Sequence, residues 1–348
     1  MPLTRDDLRG RIQTVSGLIE PADLGATLMH EHLLWDIRTP AMQADPDQGS
    51  PLCPCTYFDI NYGSVKALKN LVFFDQDIAI KEVAQMREDG GNAIVELSTG
   101  GLKPDPAGMK AISAATGVHI VMGAGHYVDE YQDPANRTRS VKSFAEEMVA
   151  QLTEGAWGTD IRAGIIGEIG CQSPWTNLER TVMHGALIAQ QQTGAALNVH
   201  PGRDEDQPQE VMEFIQARGG EPSRTIISHI DRTIADEGKL FRLADTGCVI
   251  EFDLFGQEQS LYGLNLQFDL PNDAIRLRMI RRLIDRGHLD QIAISHDICY
   301  RSRLQAFGGH GYGHIFRNVL PLMRRRRFSE AEIQRIMVKT PARLLTFV

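Results

Sequence analysis

Short β-branched and apolar runs alternate along the chain with longer stretches whose apolar positions recur every three to four residues, the pattern of parallel strands joined by crossover helices. The runs predict strands at residues 26–32, 93–98, 119–124, 163–168, 195–200, 225–229, 248–252 and 291–297. The periodic stretches predict helices at 76–88, 106–115, 143–152, 178–191, 208–217, 234–245 and 273–286. Eight strands with intervening helices describe an α/β fold, the (β/α)8 TIM barrel. No linker rich in Pro, Gly or Ser and no shift of composition divides the chain, so residues 1–348 read as one barrel domain. Three connections are long: 37–72, 255–270 after the seventh strand and 299–313 after the eighth. Long loops at the C-terminal ends of barrel strands build active sites.

Composition narrows the function classes. Lys and Arg total 36 against 45 Asp and Glu, a formal net charge of −9, which excludes a generally basic nucleic-acid binder. The run 324–327 is four arginines between helical segments and reads as a solvated corner. No stretch approaches the roughly 18–20 apolar residues of a membrane helix, and MPLTRDDLRGRIQTVSG lacks an apolar signal-peptide core, so the expected location is the cytoplasm. Five cysteines, an odd number in a long chain, argue for reduced thiols. Cys53 and Cys55 would be half of a metal site, but no second pair completes it, and they are expected to be incidental loop thiols.

The chemistry-bearing residues fall at the C-terminal ends of the predicted strands. The first ends Leu-Met-His-Glu-His, and side chains two apart in an extended chain share a face, so His30 and His32 point to one interior and Glu31 away. Glu168 ends the fourth strand, His200 the fifth, His229 the sixth and Asp297 the eighth. A lone strand-end histidine is more often a hydrogen-bonded core group, but four imidazoles and two carboxylates on one rim make a metal-binding set. Six ligands exceed what one tetrahedral ion with an open position takes, so two ions about 3.5–4 Å apart, bridged by a carboxylate, fit better. Imidazole and carboxylate without thiolate favour Zn2+, with Mn2+, Co2+, Fe2+ or Ni2+ as alternatives, over Ca2+ or Mg2+. By alternation His296 faces away from Asp297 and is not expected to be a ligand; His119, His184 and His288 read as structural or surface groups.

Outside that set the signal is weaker. Arg203 and Arg232 follow ligand-bearing strands, and Arg301 and Arg303 lie in the loop after Asp297; all four suit a carboxylate, sulfonate or phosphate on a small-molecule substrate. Each alone is more often a salt-bridge partner of neighbours such as Asp204 or Asp231, but at least one of the four is expected to contact substrate. His126, Tyr127, His310 and His314 lie in or beside rim loops as candidate pocket residues, and Phe255, Phe307 and Tyr312 as candidate apolar walls. The segment GGHGYGH lacks the spacing of a phosphate-cradling loop, and no Ser or Cys stands in a nucleophile context such as G-x-S-x-G.

The His30-x-His32 pair, the strand-four carboxylate, His200, His229 and Asp297 match the binuclear pattern of the amidohydrolase superfamily. GLIEPADLGATLMHEHLL, GEIGC, NVHPGR, SHIDRTI, FDLFG and GGHGYGHI resemble the phosphotriesterase family, most closely its phosphotriesterase-related (resiniferatoxin-binding) branch, from Gly17 to the C-terminus. Bacterial phosphotriesterases and the related lactonases bridge their metals with a carbamylated lysine on strand four. Here Gly167-Glu168 stands in that place, as in the resembled branch, and Gly167 is expected to give the bridging carboxylate of Glu168 room.

The resemblance implies that His30, His32 and Asp297 hold a buried metal, that His200 and His229 hold an exposed one, and that Asp297 carries the catalytic proton. The expected reaction is direct water attack on a small amide or ester bearing an anionic group, since the branch is associated with N-acyl amino-acid or amino-sulfonate hydrolysis. A lactonase or phosphotriesterase is the second reading, weakened by the missing lysine. A non-catalytic ligand-binding protein is the third. A homodimer, with no nucleic-acid or membrane partner, is compatible with the resemblance.

Overall fold

Each predicted apolar run forms a parallel strand in the computed structural model, which describes residues 2–348. The strands are β1 (Thr27–Glu31), β2 (Ala93–Glu96), β3 (His119–Ala124), β4 (Ile165–Gly170), β5 (Leu197–His200), β6 (Thr225–Ile227), β7 (Val249–Phe252) and β8 (Ile292–Ile294). They pair in sequential order, every neighbour parallel. The crossover helices are α1 (Gln76–Glu88), α2 (Pro106–Thr116), α3 (Val141–Thr153), α4 (Asn177–Thr193), α5 (Gln207–Gln216), α6 (Glu237–Asp245) and α7 (Asp273–Asp285). The fold is a (β/α)8 TIM barrel. β1 and β8 share no ladder. Their seam is closed by the Asp297 N–H donating to the His30 carbonyl (3.1 Å) and the His30 N–H donating to Ser295 Oγ (3.0 Å).

Caps explain where helix ends differ from expectation. α3 starts two residues early because the Ser140 side chain accepts from the Ser143 N–H, and α6 starts three residues late because Asp236 caps it through the Lys239 N–H. Segment 37–72 is not bare loop. Its ends are pinned by an antiparallel pair, Trp35–Asp36 with Val72–Phe73, and it carries helices at Pro40–Ala44 and Tyr57–Tyr62. Cys53 and Cys55 are joined as a disulfide, against the expectation of reduced loop thiols; Cys171, Cys248 and Cys299 are free and buried. Among the described residues no helix is long and apolar enough to cross a membrane.

Alternation along the strands sorts the core into two sets. Leu28, Ile94, Ile120, Ile166, Val199 and Ile250 join the cluster packed against the helices. Met29, Val95, Val121, Ile165, Ile226 and Val249 fill the barrel interior, plugged at its N-terminal face by Ile12, Leu24 and Leu344.

Strict alternation from Leu28, Ile166 and Ile227 would turn His30, His32, Glu168 and His229 the wrong way, and the backbone departs from regularity beneath them. In β1 the register with β2 shifts between Leu28 and Glu31, which re-aims His30 inward. In β4 it shifts between Ile166 and Ile169, around Gly167 and Glu168. β6 stops at Ile227, short of expectation, because His229 turns into the left-handed region at φ +56. Asp297, beyond the end of β8, has φ +49.

Gly167 itself has φ +111, and a Cβ there would strike the Asn198 carbonyl. The glycine is therefore demanded by strand approach and left-handed backbone rather than by room for the Glu168 carboxylate. Gly167→Ala is expected to cost about 3 kcal/mol or more, from strain plus overpacking. Gly10→Ala, at φ +76 with open space around it, should lose about 1 kcal/mol. Equilibrium denaturation of the two variants measures the difference.

Candidate active site

The six selected rim side chains converge. His200 Nδ1 lies 2.8 Å from Glu168 Oε2, His229 Nε2 lies 3.3 Å from the same oxygen, and the two ring nitrogens are 2.8 Å apart. On the other side of Glu168, His32 Nε2 is 3.2 Å and His30 Nε2 3.9 Å from Asp297 Oδ1. The Glu168 carboxylate reaches this second group too, with Oε2 3.6 Å from His30 Nε2 and Oε1 3.7 Å from His32 Nε2. All these separations are within the span of about 4 Å that two metal–ligand bonds of about 2.0–2.1 Å can cover. His30 Nε2 is fully buried and has no hydrogen-bond partner, an orphaned lone pair aimed at the gap. Two donor triads capable of holding an ion thus meet at Glu168: His30, His32, Asp297 and Glu168, His200, His229.

Behind the rings a buried polar layer fixes their orientation, a feature absent from the sequence-level reading. Asp253 accepts from the His229 backbone N–H (2.9 Å) and faces its Nδ1 (2.9 Å). A third triad, His30, His229 and Asp253, also satisfies simple proximity. Because Asp253 grips the backs of the rings, it is placed to orient them rather than to face the gap between the other two triads. Glu251 accepts from Asn198 Nδ2 (2.9 Å) and Ser228 Oγ (2.7 Å), and Ser228 Oγ stands 3.2 Å from His30 Nδ1. His32 Nδ1 meets Ser98 Oγ at 3.0 Å, which in turn donates to Glu96 (2.6 Å). Glu31 faces away from the cavity and accepts from Ser295 Oγ (2.7 Å), the His296 N–H (2.9 Å), His296 Nδ1 (2.7 Å) and the Ile298 N–H (3.0 Å). That grip holds His296 on the side away from the cavity, the side that alternation from Ala293 and Ile294 also gives it.

Charge follows geometry. Burial alone would raise the Glu168 carboxyl, but His30 and His200, with hydrogen bonds from His200 and His229, hold it well below the usual range. Burial drives the His200 ring down to about 3 against the pull of Glu168, so it is neutral at physiological pH. Burial also opposes ionisation of Asp297, and its bond with His32 and the nearby His229 outweigh this, leaving a carboxylate at neutral pH.

The triads open into a cavity of about 90 Å³ on which Tyr127, Arg203, Arg232 and Arg303 also border. Arg232 is spoken for: it donates to the carbonyls of Pro201 (3.1 Å) and Gly202 (3.4 Å) and to Thr233 Oγ1 (3.2 Å), with NH2 3.1 Å from His200 Nε2. Two candidates lie elsewhere. His126 is turned toward α3, its Nε2 3.0 Å from Glu147. Arg301 stacks over Phe307, 4.5 Å from the ring centre, because the tight turn Arg301–Arg303 points its two arginines in different directions. Phe255 and Tyr312 are core residues, Phe307 lies against the Cys53 loop, and His314 pairs with Asp273 at 2.7 Å. The cavity walls that sequence reasoning missed are Tyr131, Tyr262 and Tyr300.

The profile of the Phosphotriesterase family matches residues 10–345. The chain belongs to that family. It is 39% identical over 348 residues to a phosphotriesterase-related protein of Nematostella vectensis, covering 97% of this chain and 99% of that one. It is 39% identical to N-acetyltaurine hydrolase of Bos taurus over 345 residues, 98% and 99% of the two chains. The crystal structure of a resiniferatoxin-binding protein from Rhodobacter sphaeroides superposes with a TM-score of 0.91 at 34% identity, covering 99% of this chain and 97% of that one. As a phosphotriesterase-family member with hydrolase relatives along its full length, the chain is a metal-dependent hydrolase.

The two flanking glutamates separate ion binding from scaffolding in this family member. Glu168→Gln should lose most bound metal yet remain folded. Glu31→Gln should keep more metal but unfold with about 1–3 kcal/mol less stability, because an amide NH2 would face donors at the seam. Elemental analysis together with thermal unfolding of both variants checks this, and equal metal retention would contradict it.

Proposed function

We propose that the protein is a binuclear hydrolase of a small amide or ester, one side of which carries an anionic group. The observation that carries this reading is the Glu168 carboxylate lying between two donor triads on one cavity. His30, His32 and Asp297 would hold one cation, His200 and His229 the other, and Glu168 would bridge them. Two divalent cations, Zn2+ first by donor type and Mn2+, Co2+, Fe2+ or Ni2+ after it, would supply an acidified water and a polarised scissile carbonyl.

The chain's own groups do the rest. Asp297 faces the cavity with 15% of its side chain exposed, and as a carboxylate it can accept a proton from the attacking water and pass it to the leaving group. Asp253, Ser98 and Ser228 lock the ring orientations, so little rearrangement is needed when the substrate arrives. The name N-acetyltaurine hydrolase among the relatives supports an amide with an anionic leaving half. The family's own name favours the second reading, organophosphate or lactone cleavage, against which stands the absence of a strand-four lysine. A purely ligand-binding protein, suggested by the resiniferatoxin-binding relative, fits poorly with a complete set of six donors.

Purified metal-loaded protein should hydrolyse N-acyl amides with higher kcat/KM than lactones or an organophosphate triester. A panel with no turnover above the His200→Ala control would remove the reading. Elemental analysis should find two equivalents of transition metal per chain, and chelation should abolish turnover; a plateau at one equivalent in the active protein would exclude the binuclear form.

A further inference from the structure

The chain is acidic overall, and its buried guanidinium groups are mostly compensated. Arg276 is fully buried and pairs with Asp231 (2.7 Å) and Asp273 (2.9 Å). Arg224 donates to the carbonyls of Arg343, Leu344 and Thr346. Both terminal nitrogens of Arg232 are engaged, as described above. Arg203 and Arg303 break the pattern. Arg203 has one acceptor among the described residues, Tyr262 Oη on its Nε at 2.8 Å. Arg303 likewise has one, the Asp297 carbonyl at 3.0 Å. Both are only partly exposed, both border the cavity that contains Glu168, His200, His229 and Asp297, and among the described residues neither forms an ion pair with a carboxylate.

Each of these guanidinium groups is also held in place. Arg203 lies 5.8 Å from the Tyr262 ring centre, and its carbonyl accepts from Asn265 Nδ2 (3.2 Å), which ties it to the loop after β7. Arg303 lies 4.4 Å from the Tyr300 ring centre. Both terminal nitrogens of Arg203, and Nε and NH2 of Arg303, remain as donors with no protein acceptor. A guanidinium withdrawn from water without a counter-charge is unfavourable, and here the uncompensated charge faces the space where substrate must enter.

We propose that Arg203 and Arg303 form an anion subsite that receives the sulfonate or carboxylate on the amine half of an N-acyl amino-sulfonate or N-acyl amino acid. The assignment rests on the hydrolase reading above. Tyr262 and Tyr300 orient the two forks, which present planar pairs of donors to oxygen atoms of the anion. Ile37, Leu102, Leu254 and Leu264 give the cavity an apolar side next to the polar Gln257, and the cavity is small, which suits a short acyl group. Arg232 and Arg301 take no part.

The test compares N-acetyl-2-aminoethanesulfonate, N-acetyl-β-alanine and neutral N-acetylethanolamine as substrates of the metal-loaded wild type, Arg203→Met and Arg203→Lys. The ratio of kcat/KM for the better anion over the neutral amide should fall about 100-fold or more in Arg203→Met, mainly through KM, and recover in part in Arg203→Lys. Calorimetric binding of 2-aminoethanesulfonate and β-alanine to the same proteins gives a second readout, expected to weaken in parallel, with metal content unchanged. The sulfonate and carboxylate arms identify which anion the subsite prefers. Equal loss for charged and neutral amides, or a wild type without preference for the anion, would overturn the proposal. Arg203-dependent binding of the amine without any amide turnover would uphold the subsite and sink the hydrolase reading instead.

Discussion

Glu31, without solvent exposure, stands between two histidines that look into the cavity and receives four hydrogen bonds from the far end of the barrel, two of them from the backbone on either side of Asp297. The ladder of strands stops at β8, so this carboxylate and the two hydrogen bonds beside it join last strand to first. Three of the six inward donors, His30, His32 and Asp297, lie on the two sides of that seam. A shift of β8 against β1 would pull one donor triad apart, so the join that completes the barrel also sets the spacing of the site. The charge-assisted bonds of a buried carboxylate suit this role, because leaving any one donor unpaired in that interior is costly.

The same economy of placement appears around Glu168. Carboxylates of Glu96, Glu168, Glu251 and Asp253 are packed with four imidazoles in a buried region at the floor of the cavity. Hydrogen bonds hold the outer rim of this cluster except at Glu251 Oε1, while its centre, with the orphaned His30 Nε2 and the His200–His229 nitrogen pair, is arranged for positive charge. On the proposed reading, metal binding and folding would be linked: cations at the centre would relieve crowding among groups that the barrel brings together in any case.

Much of the architecture was legible in the chain because parallel strands buried on both faces read as apolar runs and crossover helices as a separate period. The strand-end residues were selected by position, and the structure assembles them. Alternation, however, was an incomplete reason for it. His30, Glu168 and His229 look inward only because the backbone bulges or turns left-handed beneath them, and such irregularities leave little trace in sequence beyond a glycine such as Gly167. Asp253 and Glu251 were findable: they lie two apart at the end of β7, on the interior face, in a strand passed over because it held no histidine. His126 and Arg301 were misplaced because loop direction depends on contacts with Glu147 and Phe307 that lie far from them in sequence or turn on a single tight bend.

The histidines and carboxylates are fastened from beneath, by residues of the strands themselves, whereas Tyr262, Tyr300 and Arg303 hang from the segments that follow β7 and β8. Inheritance can treat these two layers separately. On the proposed reading, substitutions in the upper layer would change which molecule fits the cavity while leaving the donors of the lower layer in place.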